Sequence, residues 1–249
     1  MEEYIEYFTN YVSSHYDMNN KLILSKLYHS MRVAKLMLLL SQELKLNQED
    51  TLLAFKIGLC HDLGRFREVE RSGKFNNLTF DHGAYSNKIL YNDGVIKYFD
   101  IQEEDNLLFK KAIYYHNKKD LPDNLGKREN LFCNMIRDMD KLDLLKVRCG
   151  KNRLGFNVLP TQTVLDNYLN SETIYLKDLQ SKGNTDSVIL YLSFIKDLYF
   201  DESYHIGLSN GYLDDLINII DVDIKMETLF KELIKKIDER GKGYVRKKV

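Results

Sequence analysis

Apolar residues recur at every third or fourth position through most of this chain, the spacing of helices that bury one face. Tyr4–His15 and Lys21–Leu46 both carry it, and in the second Leu27, Met31, Ala34 and Leu38 follow i, i+4, i+7 and i+11. A third helix is predicted to open at Asn47, whose side chain can accept from a backbone N–H of the first turn, with Glu49 and Asp50 at the positive end of the dipole. Its apolar face, Leu52, Phe55 and Leu59, leads to the pair His61-Asp62. Between Gly64 and Phe80 the periodicity fails and charged residues, Gly73 and Asn76-Asn77 take over, which predicts a long loop of the kind that usually carries function. Helical spacing returns over Asp81–Tyr91, Glu103–His116 and Glu129–Val147. After a break at Gly150–Pro160 it resumes over Ser187–Tyr199, Gly211–Asp221 and Met226–Arg240, and Gly241–Val249 reads as a frayed basic tail. The expectation is an all-α protein, a helical core over residues 1–150 with a helical extension over 151–249 packed on it, and no internal repeat.

Composition narrows the class. At 249 residues, 44% hydrophobic and 29% charged, the chain is an ordinary globular protein able to build a core without disulfides. A formal charge of -1 supplies no global field toward nucleic acid or an anionic membrane, so a nucleic-acid partner is not expected. The apolar run Leu36–Leu40 is far shorter than the ~20 residues of a membrane span. The acidic start Met1-Glu2-Glu3-Tyr4 differs from a secretory signal, and a cytoplasmic location is expected. Cys60, Cys133 and Cys149 lack paired spacing and are expected to be buried free thiols.

Chemistry concentrates in the first 150 residues. His29, His61, His82 and His116 fall on or at the ends of predicted helices, and His61 and His82 each adjoin an aspartate. His61-Asp62 ends an apolar helix, where an unpartnered charge is costly to bury, so the pair calls for a cation. Imidazole and carboxylate donors without a thiolate suit a catalytic Zn, Mn, Fe or Ni site better than a cysteine-rich structural one. Asp140, in Asp140-Lys141-Leu142-Asp143, could close the ligand set.

The order His29, His61-Asp62, Asp140, with its helical surroundings, resembles the HD-domain metal-dependent phosphohydrolases over about Lys21 to Val147. His82 and His116 occupy the places of the two extra histidines found in binuclear members, and His-Asp-Leu-Gly-Arg-Phe followed by Phe80-Asp81-His82-Gly83 resembles a bacterial subfamily. The resemblance implies an HD-type helical bundle. It also implies one metal held by His29, His61, Asp62 and Asp140, and a second held by Asp62, His82 and His116, with Asp62 bridging. One or two divalent ions are expected, drawn from Mn, Fe, Ni, Co, Zn and Mg. Two such cations can polarise a phosphoryl group and activate a shared water.

Arg65 follows Asp62 by three residues and, on a continuing turn, projects to the same side, where it can bind a phosphate; Asp62 and Arg65 are the expected catalytic residues. Arg67, Arg71 and Lys74 read as a solvated stretch; Lys141, next to Asp140, could touch substrate or be a solvated or ion-paired side chain, and Lys118 and Lys119, just after His116, have a similar opportunity but read more as surface side chains. His15 and His205 match no ligand position and are expected to be structural. The stretch Phe200–His205 reads as a break in the helical pattern. The resulting expectation is a phosphohydrolase acting on a small phosphomonoester or phosphodiester of nucleotide type. A mixed-valent di-iron oxygenase with the same ligand order, or a binding module with a silent metal site, are the alternatives.

Overall fold

The computed structural model describes residues 1–75, 80–149, 161–170 and 184–212, with the single positions 231, 235, 239 and 240. It is all α: the described residues contain no strand. The chain divides into two compact units, Met1–Met139 and Asp140–Val249.

In the first unit, α1 covers Glu2–His15, α2 Lys21–Glu43, α3 Gln48–Cys60, α4 Leu63–Ser72, α5 His82–Asn87 and α6 Asn106–Tyr115; α7, Lys127–Cys149, runs through the division. The Asn20 side chain caps α2 by accepting from Leu22 N at 2.9 Å, and Asn47 caps α3 by accepting from Asp50 N at 2.7 Å. The buried stripe of α2 is Ile23, Leu27, Ser30, Val33, Met37 and Leu40, rotated slightly from the expected line because Met31 and Leu38 are half-buried. α3 is buried on nearly every side from Leu53 to Cys60, so the simple face Leu52, Phe55, Leu59 understates it. This helix is the centre of the unit.

The two helices meet backbone to backbone. A Cβ on Gly58 would lie 2.8 Å from Ala34 Cα, closer than carbon atoms pack, so only glycine lets α3 approach α2 there. Three residues on from Gly58 stands His61, and five before Ala34 stands His29. The close approach therefore sets the two histidines facing each other.

Over Gly64–Phe80 the expected loop is largely replaced by α4. The charges that mask its periodicity are divided between faces: Leu63, Phe66 and Val69 are buried, and so are Arg65 and Glu68, which pair with each other. Gly73, at φ 66°, ends the helix in the left-handed conformation that glycine adopts without strain. Phe8 of α1 meets Phe66 edge-on at 6.0 Å.

In the second unit, α8 covers Gln162–Leu169, α9 Asn184–Lys196 and α10 Asp201–Ser209. α10 replaces the expected break at Phe200–His205, because Tyr204 and Ile206 are buried and the Tyr204 hydroxyl donates to Ile195 O at 2.6 Å. Lys196 lies 3.8 Å from the Tyr168 ring centroid, and Lys141 pairs with Asp197 at 2.5 Å. The expected break at Gly150–Pro160, the helix over Gly211–Asp221 beyond Tyr212, most of Met226–Arg240 and the tail lie outside the described residues.

Candidate metal centre

Asp62 is the hub. It follows His61 at the two-residue corner between α3 and α4, and its side chain caps neither helix, which leaves both carboxylate oxygens for other partners. Oδ2 lies 3.4 Å from His29 Nε2 and 3.4 Å from His61 Nε2, and Oδ1 lies 3.5 Å from His82 Nε2 and 3.6 Å from His116 Nε2. Two imidazoles thus flank each oxygen of one carboxylate, and all five side chains are buried.

The ends of helices orient the rings. His61 Nδ1 is 2.7 Å from Gly58 O and His116 Nδ1 is 2.6 Å from Ile113 O. Each of these carbonyls lies in the last turn of a helix, where it has no amide of its own helix to accept from. A carbonyl only accepts, so both Nδ1 atoms carry the proton and both Nε2 atoms present a lone pair toward Asp62. His82 begins α5 behind the cap Asp81, and its Nδ1 faces the Asn117 carboxamide at 3.2 Å.

These residues fit a divalent cation. Buried His116 Nε2 and Asp62 Oδ1 make no hydrogen bond although they face each other, an arrangement that a shared cation would satisfy. One ligand atom each from His61, Asp62 and His116 lies within 4.8 Å of the others, and the same holds for His29, His61 and Asp140. Asp140 is half-buried on α7, next in the chain to fully buried Met139. The structure brings the sequence candidates together, with His29, His61, His82 and His116 around Asp62 and Asp140 near His29 and His61, while His82 is in neither of those two three-residue groups.

Electrostatics favour bound cations. Burial raises the Asp62 pKa, but this is outweighed by Lys26, with His61, His116 and His29 adding to it, so the carboxyl titrates well below its ordinary range. Burial, helped by Arg65, pushes the His82 imidazole well below its ordinary value against the opposing pull of Asp62. A neutral ring beside an ionised carboxylate is the protonation state metal ligation needs.

Three contributors were not legible in the sequence. Lys26, one turn before His29 on α2, donates to Asp62 Oδ2, and its spacing from His29 is the signal that could have revealed it. Glu68 accepts from Arg65 Nη1 at 2.7 Å, which holds the guanidinium with Nε 3.8 Å from Asp62 Oδ1. Phe75 lies under both cations, 5.6 Å from Lys26 Nζ and 5.8 Å from Arg65 Cζ. Of the other sequence candidates, Lys118 pairs with Asp81 and exposed His15 stacks on Tyr11 at 4.4 Å.

An all-α core gathers histidines and aspartates from successive helices into a cluster that could hold a metal ion. Residues 27–145 match the family model described as HD domain. No curated protein and no solved structure matches the chain.

Proposed function

We propose that this chain is a metal-dependent phosphohydrolase that cleaves a small phosphomonoester or phosphodiester of nucleotide type. The observation that carries the reading is the single carboxylate of Asp62 flanked by four imidazole nitrogens, two at each oxygen, with Arg65 and Lys26 beside it. In this reading His29, His61, Asp62 and Asp140 hold one divalent ion, and Asp62, His82 and His116 hold a second. Bound there, the ions supply Lewis acidity and lower the pKa of a coordinated water.

The chain's own residues do the rest. Arg65, held by Glu68, offers a planar guanidinium that fits phosphate oxygens, and Lys26 adds a second positive charge on the Oδ2 side of Asp62. Phe75 covers the apolar side of both cations, which limits their hydration and strengthens their pull on an anion. The rigid backing of His61 and His116 by helix carbonyls fixes where ligand lone pairs point.

The test is anaerobic purification, metal analysis, and a panel of phosphate esters assayed with Mn, Mg, Co, Ni and Fe. Phosphate release that depends on added metal and disappears in Asp62→Ala is expected. Two irons per chain with oxygen consumption and no phosphate release would overturn the proposal in favour of an oxygenase.

A further inference from the structure

The first unit contains a cavity of about 480 Å3 that shares no lining residue with the metal centre. The same two helices serve both places from different sides. On α4, Arg65 and Glu68 are buried near Asp62 whereas Arg67 and Arg71, one turn apart, line the cavity. On α5, His82 and Ser86 are buried whereas Tyr85 lines the cavity. The chain then widens into a π-helix over Lys88–Asn92, a form often found at functional sites, and it carries Lys88 and Ile89 into the wall.

The lining has a definite chemistry. It contains four cations, Arg67, Arg71, Lys88 and Lys97, against one carboxylate, Asp93. Arg67 is paired with Glu70, but among the described residues Arg71, Lys88 and Lys97 have no carboxylate partner. They lie on aromatic rings instead: Arg71 Cζ and Lys88 Nζ are 5.1 and 5.4 Å from the Tyr85 centroid, and Lys97 Nζ is 5.0 Å from that of Tyr98. Tyr11 and Tyr16 complete the aromatic wall. Unpaired cations resting on tyrosines are arranged to meet anionic oxygens, and the rings offer stacking surfaces. The volume falls within the range of ~300–1,000 Å3 usual for small-ligand sites.

We infer that this cavity is a second ligand site, separate from the metal centre, for a small polyanion that carries a planar ring, a nucleoside phosphate in chemical class. Arg71, Lys88 and Lys97 take the phosphate oxygens, and the tyrosines take the ring. Because α4 starts directly after Asp62 and carries Arg65, and α5 carries His82, occupancy bears on the elements that position the candidate metal ligands.

The experiment is a fluorescence titration of the full chain with methylanthraniloyl-ADP in excess chelator, so that metal-dependent binding is silent. Saturable binding is expected, weakened about tenfold or more in the double variant Arg71→Glu, Lys88→Glu, whose side chains are exposed, and retained in His116→Ala. AMP should displace the probe about tenfold better than ribose 5-phosphate, the scale of one stacked base. Absence of saturable binding, affinity unchanged in the double variant, or loss of binding in His116→Ala would overturn the inference. Equal displacement by AMP and ribose 5-phosphate would overturn the role given to the tyrosines.

Discussion

Ser86 Oγ accepts from Gly64 N at 2.8 Å and lies 2.7 Å from the carbonyl of His61, so one buried hydroxyl on α5 ties down the corner that carries Asp62. The same oxygen lies 2.9 Å from His82 O. Gly64 makes this possible, since a Cβ there would stand 2.4 Å from His82 O. The junction between the two groups of histidines is thus held by backbone groups and a hydroxyl rather than by the ligands themselves.

Replacing Ser86 by Ala should loosen that corner. An unsatisfied buried amide and carbonyl cost about 1–3 kcal/mol, or several degrees of melting temperature for a chain of this size. Thermal denaturation and metal content should fall together. A variant with wild-type melting and metal load would show that the hydroxyl is dispensable.

Asp62→Ala removes the one side chain that faces all four imidazoles and should lose metal and activity entirely. His82→Ala or His116→Ala should retain about one ion per chain with much reduced hydrolysis, because activation from two sides is lost. Metal analysis on each purified variant is the measurement. Undiminished activity with one ion in both histidine variants would make the centre mononuclear.

Arg65→Ala should lower kcat/KM by about 2 kcal/mol or more in transition-state terms while leaving metal content unchanged. Arg65→Lys should recover only part, since an ammonium cannot reproduce the guanidinium fork. The change also leaves Glu68 without this partner, so melting curves must accompany the kinetics. Activity equal to wild type in Arg65→Ala would assign the residue to the Glu68 pair alone.

His82 should make the chelator-treated protein sensitive to mild acid. Its unfolded ring takes up a proton as pH falls below about 6.5, whereas the folded ring, with its pKa depressed by burial, stays neutral. Below that pH the unfolded state binds the extra proton, and stability declines by up to about 1.4 kcal/mol per pH unit; above it the contribution is flat. Denaturant unfolding at pH 7.5 and pH 5.5 should therefore differ less in His82→Gln than in wild type. Equal differences in the two proteins would contradict a neutral buried His82.

The amino-acid sequence by itself determined the helical class, the cap at Asn47 and the six metal-ligand candidates, because periodicity and capping are local and ordered ligands leave a pattern in one dimension. It misjudged α4 because Arg65 and Glu68 are charged yet buried, and only their mutual pairing makes that tolerable. It misjudged α10 because the buried side and the Tyr204 hydrogen bond come from residues outside the helix. Tertiary structure alone decided that Gly58 and Gly64 are points of backbone contact, that Lys26 reaches Asp62, and that the histidines divide two by two between the oxygens of one carboxylate. Those facts depend on distances between helices, and such distances are set by what packs between them rather than by any pattern along the chain.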